Sequence, residues 1–268
     1  MKTRTLFFFA ILFVVTLVSC STNDTGVTPT PPVTIQKIKL AEGFTAGTKL
    51  ELYADDTLRT GYNRFYIRVL DSATNAVIRD AQLTLKPQMD MGSMKHSCPT
   101  EQPTSAQSGD GLFPMAAVFT MAGNDVYTWS VTIGFRMATG TKESTLTLPI
   151  SVVAGSYPPK LFMGTDGNAM ILAMLPIAKP IVGMNDVEFT LFTSASDVYT
   201  PVDDLTMTIT PEMPSMGHGS PNNVNPTTKG KGHYAGKVNF IMTGEWKINL
   251  ALNRAGTIVG KQFFMITL

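Results

Sequence analysis

The chain has 268 residues and a formal net charge of +1, and only 15% of its residues are charged. A charge balance this close to zero provides neither a basic surface for nucleic acid nor an acidic tail, so we expect no nucleic-acid partner. The length suffices for two small domains that each bury a core. The low proportion of charged residues favours an extracytoplasmic β-protein over a cytosolic enzyme.

The first twenty residues have the organisation of a secretory signal. Lys2 and Arg4 precede an apolar run over residues 6–18, which is shorter than the roughly 20 residues of an ordinary membrane span. The run ends in Leu17-Val18-Ser19-Cys20, which resembles the bacterial lipobox, whose cysteine becomes the lipidated first residue of the mature protein. We therefore predict a signal peptide over residues 1–20 and a lipid on Cys20 that holds the chain on a membrane of the bacterial cell envelope, facing the periplasm or the exterior. The alternative is a simple signal peptide cut elsewhere, with Cys20 incidental.

The segment after the signal changes character near residue 35. Residues 21–34 are mainly Ser, Thr, Asn, Gly and Pro, which cannot bury a core, and we predict a flexible tether there. Beyond it, apolar residues alternate with polar ones in short runs separated by Gly, Pro, Asn and Asp, which is typical of half-buried strands. Examples are Phe65, Ile67 and Val69 in the first half, and Trp246, Ile248, Leu250 and Leu252 in the second. This pattern predicts an all-β protein built from β-sandwiches.

The two halves of the chain share several short motifs, which indicates an internal duplication. Gly61-Tyr62-Asn63 corresponds to Gly183-Met184-Asn185, and Phe119-Thr120-Met121-Ala122-Gly123 corresponds to Phe240-Ile241-Met242-Thr243-Gly244. Trp129 follows the Phe119–Gly123 motif, and Trp246 follows the Phe240–Gly244 motif. We therefore predict two tandem sandwiches, over residues 35–154 and 160–268.

Methionine and histidine are crowded into one loop of each half. The second half contains Met213-Pro214-Ser215-Met216-Gly217-His218, and the first half contains Met91-Gly92-Ser93-Met94-Lys95-His96, again as Met-x-x-Met-x-His. Pro214 favours a β-turn that brings Met213 and Met216 together. Thioethers and imidazole suit Cu(I), because soft ligands select soft metals. The candidate ligands are Met213, Met216, His218 and His233 in the second half, and Met91, Met94, His96 and Cys98 in the first.

A structural explanation of the same loops stays open. Methionine is most often a gap-filler in protein cores, so these methionines could plug the open end of each sandwich while His218 and His96 cap backbone groups. His233 could return to its loop through a hairpin or serve as a hydrogen-bonding residue. Cys98 could be a copper ligand, an intermolecular crosslink or a small buried hydrophobe.

The second half resembles a known family. Its segments Pro211–Gly219, Gly232-His233-Tyr234 and Phe240–Trp246 are similar to the YtkA-like/FixH-like domains of bacterial envelope lipoproteins. The resemblance implies an immunoglobulin-like sandwich, and it associates the chain with copper handling and oxidase maturation. The first half departs from the family pattern, because the turn over residues 87–92 is two residues longer and no histidine stands where His233 would.

We expect no enzymatic activity, because the sequence lacks local signatures of catalysis. It has three histidines and no Gly-x-Ser-x-Gly motif, and the adjacent carboxylates of Asp55-Asp56 and Asp203-Asp204 would point to opposite faces of a strand. No spacing supports a closed zinc site or a calcium loop. Two hypotheses follow. The first is an envelope lipoprotein that binds Cu(I) through its Met/His loops and exchanges it with another envelope protein. The second is a non-catalytic interaction module in which the loops are structural.

Overall fold

The computed structural model describes residues 37–103, 109–138 and 140–268. The predicted signal peptide, tether and lipidated Cys20 lie outside these residues. Within them the structure is all-β, and no helix is long and apolar enough to cross a membrane. The prediction of tandem immunoglobulin-like sandwiches is confirmed.

The described residues of the first sandwich form ten strands. They are β1 (Ile38–Thr45), β2 (Thr48–Ala54), β3 (Gly61–Asp71), β4 (Val77–Ile78), β5 (Ala81–Asp90), β6 (Lys95–His96), β7 (Thr100–Glu101), β8 (Phe113–Phe119), β9 (Thr128–Met137) and β10 (Ser144–Ile150). One sheet has the order β1-β2-β3-β8-β7, with β4 paired to β3, and the other has the order β10-β9-β5-β6.

The second sandwich repeats the first strand by strand. Its strands are β11 (Lys160–Met163), β12 (Ala169–Met174), β13 (Gly183–Ala195), β14 (Val198–Pro201), β15 (Thr206–Met213), β16 (His218–Gly219), β17 (Val224–Gly230), β18 (His233–Phe240), β19 (Glu245–Arg254) and β20 (Thr257–Thr267). One sheet has the order β11-β12-β13-β18-β17, with β14 on β13, and the other has the order β16-β15-β19-β20. Each strand thus has the neighbours of its counterpart ten places earlier, as expected of a duplication.

Period-two alternation places one face of each strand in a core. In β19, Trp246, Ile248, Leu250 and Leu252 are buried while the residues between them are partly exposed. The first sandwich closes over a core that includes Phe65, Phe119 and Trp129, and the second closes over one that includes Phe189, Phe240 and Trp246. Each sandwich therefore has its own hydrophobic core.

A third apolar cluster joins the two sandwiches. Strand β12 is buried on both faces: Met170, Leu172 and Met174 belong to the second core, whereas Ile171 and Ala173, with Leu175 just after the strand, belong to a separate cluster. The other members of that cluster are Tyr62, Ala116, Val118, Phe192 and the partly buried Tyr199. The outer faces of the two larger sheets therefore pack together, and residues 35–268 form one compact unit.

Candidate functional site

The Met/His loop of the second sandwich is a tight turn between β15 and β16. The Met213 carbonyl accepts hydrogen bonds from the Met216 amide at 3.1 Å and the Gly217 amide at 3.0 Å, and His218 then pairs with Met213. Gly217 has φ of 65°, a conformation that glycine adopts without strain. The turn brings together the backbones of the two methionines, but their side chains differ in exposure. Met213 is buried in the core, whereas Met216 is 58% exposed.

His218 is oriented by its neighbours. Its Nδ1 lies 3.2 Å from the Gly219 carbonyl oxygen. Because a carbonyl can only accept, Nδ1 donates in this hydrogen bond, and in the neutral ring Nε2 then carries the free lone pair. The imidazole ring meets the indole of Trp246 nearly edge-on, with centroids 6.1 Å apart and an angle of 68° between the planes.

Trp246 is the fixed part of this arrangement. Its side chain is fully buried, and its Nε1 donates to the Met242 carbonyl at 3.0 Å. The register that pairs Glu212 with Lys247 places Met213 opposite Trp246, so their side chains share the core face. We call Met213, Met216, His218 and Trp246 the second corner.

The first sandwich contains the same arrangement. Met89 is fully buried and pairs directly with both Trp129 and His96, while Met94 is 62% exposed. The Nδ1 of His96 lies 3.1 Å from the Ser97 carbonyl, and its ring meets that of Trp129 at 5.7 Å and 82°. The Nε1 of Trp129 donates to the Met121 carbonyl at 3.0 Å. We call Met89, Met94, His96 and Trp129 the first corner.

The structure therefore matches the two loops differently from the sequence motif. The Met-x-x-Met-x-His pattern aligns Met91 with Met213, but the residue that occupies the position of Met213 is Met89. Met91 lies in the loop, partly buried against the core, and its amide donates to the Met94 carbonyl at 2.9 Å. The alternation along β5, in which Leu83, Leu85 and Met89 share the buried face, was the available signal. The sequence analysis also did not assign the two tryptophans to the loops.

The structure does not bring His233 to the second corner. It begins β18, where Nδ1 lies 2.6 Å from Glu188 Oε1 and Nε2 lies 2.8 Å from Glu101 Oε1. Glu101 belongs to the first sandwich and also accepts a hydrogen bond from the Tyr62 hydroxyl at 3.1 Å. Hydrogen bonding to Glu101, reinforced by Glu188, raises the pKa of His233 although burial opposes it. His233 thus connects the two sandwiches.

Cys98 lies in the core of the first sandwich. Its side chain is 1% exposed, and burial raises the pKa of the thiol well above its ordinary range. A thiol must lose its proton to ligate a metal, so this environment disfavours a ligand role. Of the interpretations open to the sequence, the position of Cys98 fits a small buried hydrophobe best.

The chemistry that the corners offer is that of soft, neutral donors. In the part of the chain that the structure describes, no three His, Cys, Asp or Glu side chains gather into a group that could hold a metal ion. A metal site at the second corner would therefore depend on the thioethers of Met216 and Met213 beside His218 Nε2. Such a donor set fits Cu(I) better than harder divalent ions.

Comparison with known proteins gives one family match. Residues 173–251 match the model of the YtkA-like family. This segment includes the whole second corner and His233, and the first sandwich lies outside it. The match supports the resemblance of the second half to YtkA-like domains. No curated protein sequence matches the chain significantly.

Three similar solved structures illustrate the comparison. The adhesin FdeC of Escherichia coli is 16% identical, with 85% of this chain and 65% of FdeC covered and a TM-score of 0.27. A conserved domain protein from Bacillus anthracis is 8% identical over 87% of this chain and 91% of its own, with a TM-score of 0.31. The adhesin InvE of Yersinia pseudotuberculosis is 10% identical over 79% and 56%, with a TM-score of 0.24. This chain spans just under two thirds of FdeC. At these TM-scores the similarities carry no functional argument.

Proposed function

We propose that this protein is a non-catalytic binding module of the bacterial cell envelope, anchored through lipid on Cys20. The observation that carries the non-catalytic part is the environment of the three histidines. His96 and His218 lie against tryptophan rings with Nδ1 committed to a carbonyl, and His233 lies between two carboxylates. The partners of the three imidazoles in these contacts are carbonyls, carboxylates and tryptophan rings, whereas covalent catalysis needs an imidazole paired with a hydroxyl or thiol nucleophile. The lipobox-like segment supports the location.

Labelling of the expressed chain with a palmitate analogue tests the anchor. We expect the full-length chain to take up label and to fractionate with membranes, and Cys20→Ala to lose both properties. The other cysteine provides a matched control, since Cys98→Ala removes a thiol that is buried in the core and should leave labelling intact. Absence of label from the unmodified chain would contradict the proposal.

We further propose that the module binds Cu(I) at its corners and exchanges it with another envelope protein. The specific support is that His218 Nδ1 bonds to a carbonyl, which leaves Nε2 of the neutral ring as a metal ligand, and that the exposed thioether of Met216 lies on the same turn, fixed by two backbone hydrogen bonds. Metal-binding histidines usually donate their other ring nitrogen to a carbonyl or carboxylate in this way. The first corner repeats the arrangement with His96 and Met94.

An anaerobic Cu(I) titration against a chromophoric chelator tests this second proposal. We expect the chain without residues 1–20 to compete for Cu(I), and Met216→Leu combined with Met94→Leu to weaken the competition at least tenfold, because leucine keeps the volume and loses the sulfur. Met163→Leu is the matched control, since Met163 is 67% exposed on β11 and belongs to neither corner. Competition that is absent, or equal in all variants, would make the loops structural and leave only the first proposal.

A further inference from the structure

We propose that the buried tryptophan of each corner forms one wall of the metal site, with Trp246 in the second sandwich and Trp129 in the first facing the bound ion through their π systems. The proposal rests on Cu(I) binding at the corners. It adds a residue that the Met-x-x-Met-x-His motif does not contain and that lies far from the loops in sequence.

The contact between imidazole and indole recurs in both corners although the two loops differ in length. Between the buried methionine and the histidine, the first loop runs from Met89 to His96 and the second from Met213 to His218, so the first is two residues longer. The strand register nevertheless pairs both methionines with their histidines. In both corners the imidazole then meets the indole at 5.7 to 6.1 Å and a steep angle. A loop that only closed the end of a sandwich could place its histidine elsewhere.

The indole of each tryptophan can meet an ion only through its π face. In each tryptophan the Nε1 hydrogen is used in a 3.0 Å bond to a backbone carbonyl, of Met121 or Met242. That bond and the surrounding core fix the ring plane. The indole therefore loses little conformational entropy when an ion binds. The ring is then a rigid π surface next to the methionine and histidine side chains. Tryptophan is the aromatic side chain that attracts cations most strongly, within about 6 Å of the ring centroid.

The chemical consequence is selectivity for a monovalent soft ion. Two or three thioether and imidazole donors provide a low coordination number, and an indole in place of a further ligand excludes water from that side. Cu(II) prefers a tetragonal set of nitrogen and oxygen ligands, which this wall would obstruct. Cu(I) and its redox-inert analogue Ag(I) accept fewer, softer ligands. The tryptophans would thus favour the reduced ion.

Tryptophan emission provides the test, because the chain has only two tryptophans and each belongs to one corner. We would titrate Ag(I) into the chain without residues 1–20 in chloride-free buffer, and measure bound metal by equilibrium dialysis and emission in parallel. In a Trp129→Phe background Trp246 is the remaining tryptophan, and its emission should be quenched as metal binds. Met216→Leu should abolish this quenching, and Met163→Leu should preserve it.

The outcomes separate this proposal from Cu(I) binding itself. Metal uptake that falls in Met216→Leu, while Trp246 emission in the parent chain does not respond to metal, would overturn the role of the tryptophan and leave the metal site standing. No metal uptake at all would overturn both. Quenching that persists in Met216→Leu would place the ion away from the corner and also overturn the proposal.

A change of the ring itself gives a second measurement. Trp246→Phe keeps an aromatic ring with a weaker cation affinity, and we expect Ag(I) to bind roughly threefold to tenfold more weakly at the second corner. Thermal unfolding of the Trp246→Phe variant would be measured in parallel to confirm that it folds, because Trp246 is a core residue. An unchanged affinity in a folded variant would contradict the proposal, and the quenching experiment does not depend on this variant.

Discussion

One asparagine in each sandwich holds the loop that leads into a central strand. Asn185, which is 6% exposed, donates to the carbonyls of Ile181 at 2.7 Å and Gly183 at 2.9 Å, and accepts from the Ile181 amide at 2.9 Å. Asn63 makes the corresponding bonds to Arg59 and Gly61. The sequence showed the repeated Gly-x-Asn motif, but it could not show the role, because the three partners are backbone groups of the preceding loop.

We expect Asn185→Ala to lower the free energy of unfolding by about 2–4 kcal/mol, because three hydrogen bonds disappear and buried backbone groups lose partners. Asn63→Ala should cost less, since Asn63 is more exposed and water can replace the side chain. Denaturant unfolding measures both values. Equal stability of Asn185→Ala and the unmodified chain would show that the loop does not depend on the amide.

At the scale of the element, strand ends were harder to predict than strands. The alternation of apolar residues predicted the strand now seen as β19, and Pro214 predicted the turn after Met213. Met213 was predicted to lie in the loop, but β15 continues through Pro211 to Met213. Proline lacks an N–H and is confined to sheet edges. At Pro211 the strand is an edge, because β16 pairs only with Glu212 and Met213.

The direction of the methionine side chains follows from that extension. Once β15 reaches Met213, alternation from Met207 and Ile209 puts Met213 on the core face. The same reasoning puts Met89 inside and leaves Met94 and Met216 on the turns. The contact with the tryptophans could not be predicted, because it depends on the register between β15 and β19, and between β5 and β9, which pairs residues far apart in sequence.

At the scale of the whole molecule, apolar packing and an ionic contact at His233 couple the two sandwiches. Both ring nitrogens of His233 face carboxylate oxygens, of Glu101 in the first sandwich and Glu188 in the second. Ionised carboxylates only accept hydrogen bonds, so the contact is complete when both nitrogens carry protons. The Tyr62 ring lies edge-on to the imidazole at 6.0 Å. Arg64 and Lys231 are the cations that line the adjacent cleft of about 440 Å³.

This contact predicts a pH dependence of stability. The pKa of folded His233 is raised above the ordinary value of about 6.5. Its contribution is therefore fully present below that ordinary pKa and is lost as the pH rises through the folded-state pKa. We expect the free energy of unfolding to fall over this interval, and His233→Gln to remove that component. His218→Gln is the control, because His218 bonds to a backbone carbonyl instead of a carboxylate, so this substitution should leave the component in place.

A contrary result would be a pH profile that His233→Gln does not alter. The carboxylates would then have to be satisfied by other groups, such as Arg64 and Lys231, which line the adjacent cleft. Glu101→Gln tests whether the Glu101 charge contributes to the pH profile of stability at all, because it removes the charge between the sandwiches while it keeps the side-chain volume.

Strand β12 bears on the history of the duplication. An ancestral single sandwich would have exposed the outer face of its larger sheet to solvent, but Ile171, Ala173 and Phe192 now cover that face with apolar side chains that need the other copy against them. Deleting either half would uncover this surface and favour aggregation. The residues of the two corners lie outside this shared cluster, so the loops can differ between the copies, whereas a change within the cluster alters both sandwiches at once.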